Sequence, residues 1–165
     1  MLHLIYEGHH TLVSFKMGID VATYISGYVD GEGCFCISFN KSKRHKLGWE
    51  IRPSFSVSQN TDRSEVLYLM KEYFKCGSIR PDRSDKTLKY EVRSGRDLSE
   101  IIIPHFIQYP LLSSKQRDFI NFAHVCFMMK QSEHKTSEGF NQICSLAEEI
   151  NVAGLKKYSR KKIKV

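Results

Sequence analysis

The sequence predicts an α+β domain in which helices cover one face of a four-stranded antiparallel sheet. Two pairs of segments alternate apolar with polar residues, at 34–40 with 50–58 and at 78–82 with 88–93, which is the period of strands with one buried face. Segments with the apolar spacing of helices precede, separate and follow these pairs. The predicted order is therefore helix-strand-strand-helix-strand-strand-helix, followed by further C-terminal helices.

The first predicted helix contains the segment YISGYVDGEG, from Tyr24 to Gly33, and ends at its glycines. Gly27 and Gly31 lie four residues apart, so one helix face carries almost no side-chain bulk and a second backbone can approach it. Asp30 and Glu32 stand at the glycine-rich end of this helix. Flexible backbone there exposes carboxylates and carbonyl oxygens to a hard cation.

The first strand pair is joined by a basic loop and has a polar outer face. Phe35 and Ile37 alternate with polar residues in one strand, and Phe55 and Val57 do so in the other. The outward residues are Ser38, Asn40, Glu50, Arg52, Ser54, Ser56 and Ser58. The loop cations between the strands are Lys41, Lys43, Arg44 and Lys46.

A helix capped by Asp62 or Ser64 precedes the second strand pair and ends at Cys76 and Gly77. Within this pair Leu88, Tyr90 and Val92 point inward. The outward residues and the turn arginine are Arg80, Asp82, Arg83, Lys89, Glu91 and Arg93. The four strands therefore present one continuous face of short polar and long charged side chains.

Helices fill the rest of the chain. One begins near Asp97 and is bent or shortened by Pro104, a second follows the connection that Pro110 starts, and a last one runs from about Thr136 to Asn151. The predicted organisation is a loosely packed arm at 1–20, a single domain at 21–151 and a basic tail at 152–165, mobile or laid along phosphates.

Composition restricts the function further. The 165 residues suit one compact domain, and 25 Lys and Arg against 18 acids give a net charge of +7, which favours a polyanionic partner. Five cysteines without zinc spacing indicate reduced thiols in an intracellular protein, and we expect neither a secretory nor a membrane-spanning segment. We expect the protein to lie with the DNA it acts on, in a bacterial or archaeal cytoplasm or an organelle.

The segment from Tyr24 to Gly33 resembles the signature helix of the LAGLIDADG homing endonucleases. Glu32 occupies the position of the final acidic residue of the motif. Compared with aspartate, it keeps the negative charge and has a longer side chain. The likeness extends to about Lys115 and implies a saddle-shaped sheet that lies in the DNA major groove. One motif is similar to the homodimeric class, which implies a nearly palindromic site. The motif residues that match are Ile25, Gly27, Val29, Asp30, Gly31 and Gly33.

The resemblance also implies a catalytic site. Glu32 and the Gly31 carbonyl would hold Mg²⁺, Gln59 would order the attacking water, and Arg63 and Lys115 would stabilise charge on the phosphate. Ca²⁺ would support binding without cleavage. Asp30 would act at the interface, capping the partner's helix. The implied dimer-interface residues are Ser26, Gly27, Asp30 and Gly31.

The outer sheet face is predicted to read DNA bases, while the loop cations hold phosphates. The expected product is a double-strand break with 3′ overhangs, made by an enzyme encoded in an intron. Two alternatives stay open from the sequence: a maturase that binds intron RNA, and a catalytically silent protein that binds a specific DNA site.

Overall fold

The computed structural model describes residues 18, 20–82, 86–151 and 163, and it confirms the predicted fold class. The first half of the chain forms α1 (Val21–Glu32), β1 (Gly33–Lys41), β2 (Trp49–Asn60), a 3-10 turn (Thr61–Arg63), α2 (Glu65–Phe74), β3 (Ser78–Pro81) and β4 (Thr87–Val92). The second half forms α3 (Gly95–Asp97), a π-helical turn (Leu98–Ile102), α4 (Ile103–Gln108), α5 (Lys115–Lys130), a 3-10 turn (Glu133–Lys135) and α6 (Ser137–Glu149). No helix among the described residues combines the length and apolar character needed to cross a membrane.

Helix α1 passes directly into β1 at Gly33. Asp20 caps the start of α1 by accepting hydrogen bonds from the backbone N–H groups of Ala22 and Thr23. At the other end the Gly33 N–H donates to the Val29 carbonyl. A Cβ on Gly33 would lie 2.7 Å from that carbonyl oxygen, so only glycine permits the sharp passage from helix to strand.

The sheet is antiparallel throughout, with strand order β1-β2-β4-β3. Strand β2 is central, yet it contains Pro53, which cannot donate a ladder hydrogen bond. Pairing between β2 and β4 begins only at Phe55, opposite Val92. Pro53 therefore lies in a part of β2 that has a strand neighbour on one side only, which is where proline is tolerated.

The core lies between one sheet face and the helices. Phe35 of β1 stacks on Phe55 of β2 at 5.3 Å between ring centroids and meets Phe106, Phe119 and Phe122 from α4 and α5 at 5.3–5.5 Å. A second apolar cluster surrounds the outer ends of β1 and β2, where α5 and α6 pack. Its buried members are Phe39, Trp49, Ile51, Val125, Met128, Phe140, Ile143, Cys144, Ala147 and Ile163.

Pro104 changes the helix geometry without ending the helix. Helical backbone continues from Gly95 to Gln108, with a π-helical turn at Leu98–Ile102 directly before the proline. Because proline lacks an N–H and its ring crowds the preceding turn, a wider turn at this point relieves the clash. Of the two predicted effects of Pro104, shortening of the helix is not observed, because the helical run continues through the proline.

The predicted terminal segments fall mostly outside the described residues. The arm at 1–20 is described only at Gly18 and Asp20, and the tail at 152–165 only at Ile163. Ile163 is buried in the second apolar cluster, so at this residue the tail packs on the domain. Thr136 caps the last helix, which ends at Glu149, two residues before the predicted end.

Candidate functional site

The acidic end of α1 is open to solvent. Gly31 and Glu32 are both exposed, and the Glu32 carboxylate accepts no hydrogen bond from the described residues. Within the described ranges no three His, Cys, Asp or Glu side chains gather as metal ligands. The oxygens that this end of the chain offers to a cation are the Glu32 carboxylate and the adjacent Gly31 carbonyl.

Lys115, the first residue of α5, reaches across to this end of α1. Its Nζ donates to the carbonyl oxygens of Val29 and Gly31, each at 3.0 Å. Burial lowers the pKa of Lys115 from its ordinary value, and the negative charges of Asp30 and Glu32 oppose that lowering. The structure thus brings Lys115 to the signature motif, while its predicted role at the DNA phosphate stays a prediction.

The carboxylate of Asp30 is hydrogen-bonded within the same chain, while its role towards a partner's helix stays a prediction. It accepts hydrogen bonds from the Leu112 N–H at 3.0 Å, the Ser113 N–H at 2.9 Å and the Ser113 hydroxyl at 2.5 Å. Burial disfavours the charged form, but these hydrogen bonds outweigh it and hold the pKa of Asp30 below its ordinary value. Asp30 therefore anchors the connection that leads into α5.

Gln59, at the end of β2, is tied to α1 through Tyr28. Its Nε2 donates to the Tyr28 hydroxyl, and its Oε1 accepts from the Asn60 N–H at 2.7 Å. Tyr28 lies one helical turn before Glu32 on the same side of α1. Sequence reasoning overlooked Tyr28, although its i−4 spacing from the motif acid was visible.

Arg63 is not brought into contact with the other predicted catalytic residues. It projects from the 3-10 turn after β2, its side chain is 76% exposed, and its Nε lies 3.9 Å from Asp62 Oδ2. A surface ion pair of this length contributes little free energy. The position of the guanidinium is therefore set by solvent rather than by the site.

One face of α1 is bare, as the glycine spacing predicted. A Cβ placed on Gly27 or Gly31 would meet no atom within 4 Å, so both positions face open space. Ser26 does not share this face, and its predicted role at the interface is wrong. It is buried, and its hydroxyl donates to the Tyr109 carbonyl oxygen at 2.7 Å.

Ser26 belongs to a buried polar network centred on His105. Because its single hydroxyl hydrogen goes to Tyr109, Ser26 accepts from His105 Nε2–H at 3.2 Å. His105 Nδ1 is then unprotonated and accepts from the Tyr73 hydroxyl at 3.3 Å. This neutral histidine joins α1, α2 and α4 with both ring nitrogens satisfied.

The network predicts acid sensitivity of the fold. Burial lowers the pKa of His105 to about 4, so the unfolded chain takes up a proton near pH 6.5 while the folded chain does not. The contribution of neutral His105 to the free energy of unfolding is therefore fully present above pH 6.5 and is lost as the pH drops towards 4. The total loss is about 3 kcal/mol. Urea unfolding at pH 7 and pH 4.5 measures the loss. It should be smaller in His105→Gln, and an identical loss in that variant would contradict the assignment.

The polar face of the sheet is continuous across all four strands. Cross-strand pairs place Ser38 opposite Arg52, Ser58 opposite Lys89 and Lys89 opposite Arg80. The predicted outward residues therefore lie on one side of the sheet, away from the helices. Among them Arg52 is half exposed and pairs with Glu50 at 2.9 Å.

Acidic side chains on this face position the cations. Glu91 is only 9% exposed and binds two arginines, with Arg80 Nη2 at 3.1 Å and Arg93 Nε at 3.0 Å from its Oε2. Asp82 lies 2.8 Å from Lys89 Nζ. Glu91 was predicted to read bases, but its buried carboxylate instead fixes the two guanidinium groups.

The loop between β1 and β2 carries its cations into solvent. Lys41, Lys43, Arg44 and Lys46 are all exposed around a turn closed by a 2.9 Å hydrogen bond from the Ser42 N–H to the Gly48 carbonyl. Exposed cations on a turn can follow a phosphate backbone without fixed geometry. The predicted DNA contact at Arg83 lies outside the described residues.

The sequence matches a family model described as LAGLIDADG endonuclease over residues 25–126, more than half of the chain. Probable intron-encoded endonuclease 3 of Neurospora crassa is 37% identical over 77% of this chain and 24% of its own length. DNA endonuclease I-CeuI of Chlamydomonas moewusii is 31% identical over 70% of this chain and 55% of its own length. The chain thus spans about a quarter of the length of the former and about half of the latter.

Solved structures with the same fold include two homing endonucleases. I-TnaI superposes with a TM-score of 0.77 at 31% identity, covering 81% of this chain and 89% of its own. I-SmaMI, bound to an uncleaved DNA target in the presence of calcium ions, gives a TM-score of 0.77 at 31% identity over 84% of this chain. Only 47% of the I-SmaMI chain is covered, so the fold corresponds to about half of that protein.

Proposed function

Because this chain belongs to the LAGLIDADG endonuclease family, we propose that it is an intron-encoded homing endonuclease that hydrolyses both strands of a specific double-stranded DNA target, leaving 3′ overhangs. The observation that carries this proposal is the exposed end of α1, where the Gly31 carbonyl adjoins the Glu32 carboxylate and Lys115 bonds to the same helix end. Names of relatives support it, since several are called intron-encoded or DNA endonucleases.

The polar sheet face is the proposed DNA-binding surface. Arg80, Arg93 and Lys89 are held by acidic neighbours and so are presented in fixed positions, while Lys43, Arg44 and Lys46 are exposed on the loop and can track phosphates. I-SmaMI has been captured with both uncleaved and cleaved DNA, which supports a DNA partner for a chain with this fold. We expect the protein to lie in the compartment that holds its target DNA.

The bare face of α1 is the proposed contact with a second signature helix. Gly27 and Gly31 allow close approach of another backbone, and a second copy of this chain would supply an identical helix. A two-fold symmetric pair would place two Glu32 side chains near one axis. Such a dimer presents the same sheet face to each half of its target, so the site is nearly palindromic.

Mg²⁺ is the proposed cofactor. A carboxylate and a backbone carbonyl are the hard oxygen donors that this ion prefers, so Glu32 and Gly31 fit it. When bound, Mg²⁺ would activate water and stabilise the leaving oxygen. Glu32 holds the cation, Gln59 orients the attacking water from its position beside Tyr28, and Lys115 and Arg63 contribute positive charge for the phosphate. Ca²⁺ is expected to permit binding without cleavage.

The test is a randomised double-stranded DNA library incubated with the purified protein in Mg²⁺ and, separately, in Ca²⁺, followed by sequencing of the cut ends. We expect cuts with short 3′ overhangs at one family of nearly palindromic sites, in Mg²⁺ only. Selective binding of a site with no cuts in Mg²⁺ would contradict the endonuclease proposal. Structured intron RNA would then be the next substrate.

Arg52 is expected to specify a base. Arg52→Ala should relax the preference at one target position in each half-site by about 10-fold or more, because a guanidinium bound to a guanine edge contributes roughly 1 to 3 kcal/mol of discrimination. Lys43→Ala is the matched control from the exposed loop. It should weaken binding to all DNA sequences alike and reduce the salt dependence of binding. Competition binding in Ca²⁺ measures both. A uniform loss in Arg52→Ala would make Arg52 a phosphate contact.

A further inference from the structure

Lys115 satisfies backbone groups that a helix leaves unpaired. The carbonyl groups at the end of α1 form the negative end of the helix dipole, and those after Val29 have no N–H donor one turn further on within the helix. An ammonium at this end is therefore stabilising in itself. The contact with Val29 fits that role, although the Val29 oxygen already accepts a hydrogen bond from the Gly33 N–H.

The second contact of Lys115 has a different consequence. Its Nζ lies 3.0 Å from the Gly31 oxygen, which with the neighbouring Glu32 carboxylate forms the proposed cation site. A carbonyl oxygen that accepts from an ammonium already has a positive charge where a metal ion would bind. Because two positive charges at one oxygen repel each other, Lys115 and a metal ion compete for the Gly31 carbonyl.

The position of Lys115 is built into the fold. Asp30 binds two N–H groups and the hydroxyl of the connection before α5, and the Ser113 hydroxyl accepts from the Lys115 N–H at 3.1 Å. Leu112 in this connection is 93% exposed, so apolar burial of its side chain does not hold the turn in place. These contacts join the start of α5 to the end of α1 and place Lys115 beside the carbonyls of Val29 and Gly31.

We propose that Lys115 is an internal counter-ion that occupies the Gly31 carbonyl in the DNA-free protein and competes with divalent cations for that oxygen. The inference rests on the proposed function, because it takes Glu32 and Gly31 as the cation site. Under this arrangement the free protein binds cations weakly. The ammonium released from Gly31 is then available to the DNA phosphate, an acceptor of the opposite charge.

The test is calcium titration of the DNA-free protein by calorimetry, with Ca²⁺ alone as the probe. Lys115→Met keeps the length of the side chain and removes its charge. We expect it to bind Ca²⁺ about 10-fold more tightly than the wild type, the size of a typical coupling between two sites. Wild-type protein without saturable binding, beside a variant that binds, would also support the proposal.

Lys130→Met is the matched control, since it removes the same charge from the opposite end of α5. It should leave Ca²⁺ affinity unchanged, which separates local competition from a change in net charge. Equal or weaker Ca²⁺ binding in Lys115→Met, or no saturable binding in either protein, would overturn the proposal and leave Lys115 as a helix cap. Cleavage of DNA by the wild type in Mg²⁺ is measured separately, so failure of this inference is distinguishable from failure of the proposed function.

Discussion

Glu32→Gln is expected to abolish DNA cleavage while leaving DNA binding intact. Glutamine has the same size and Glu32 accepts no hydrogen bond from the described residues, so the fold is unaffected. The substitution removes the negative charge that holds the cation. Loss of metal-based stabilisation amounts to several kcal/mol at the transition state, so the single-turnover cleavage rate should fall on the order of 10³-fold or more.

Two measurements make the Glu32 result specific. Binding of the selected target in Ca²⁺ should stay close to wild type, and Glu138→Gln, an exposed acid in the first turn of α6, should leave cleavage unchanged. Loss of binding with normal cleavage of the bound fraction would contradict the assignment of Glu32. In that case the carboxylate would support DNA binding rather than the reaction.

Gly27→Leu is expected to prevent dimer formation and therefore cleavage, without harming the fold of the single chain. A Cβ at this position meets nothing within 4 Å inside the chain, and leucine favours a helix over glycine by up to about 1 kcal/mol. In the proposed dimer each copy would insert one leucine side chain between the two α1 helices. Overpacking costs roughly 1 to 3 kcal/mol per copy, so the dimer dissociation constant should rise about 30-fold or more.

Sedimentation velocity, with thermal unfolding of the same samples, measures both parts of the Gly27 prediction. Gly95→Leu provides the control, because a Cβ there also meets open space but on a different helix. It should leave the sedimentation coefficient and the cleavage rate unchanged. A Gly27→Leu protein that still dimerises and cuts would place the interface elsewhere on the surface.

Much of the site could be predicted because its signals are local. The alternation that placed Ser38 and Arg52 on one face depends only on the two-residue period of a strand, and the observed register confirms it. The glycine spacing on α1 likewise depends only on the helical period, and the open space at Gly27 and Gly31 confirms it. The motif acid Glu32 followed from resemblance, whereas its catalytic role stays a prediction.

What the sequence did not reveal concerns side chains whose partners are distant in sequence. Ser26 binds residues 79 and 83 positions away, and Asp30 binds a connection 82 and 83 positions away. Helical spacing placed both beside the bare face. A small helical rotation decides whether such a residue points to the core or to solvent, and that rotation is set by packing of Ile25 and Val29 against the sheet.

Four features follow from the amino-acid sequence alone: the order of the elements, the polar face of the sheet, the bare stripe on α1 and the acid at its end. These features follow from backbone periods and from the positions of glycine, which act over a few residues. Three further features are visible only in the folded chain: Asp30 anchors the start of α5, Glu91 holds two arginines, and Lys115 contacts the Gly31 carbonyl. Each of these depends on which polar groups meet once the core has closed, because buried and half-buried polar groups must find partners wherever the fold supplies them.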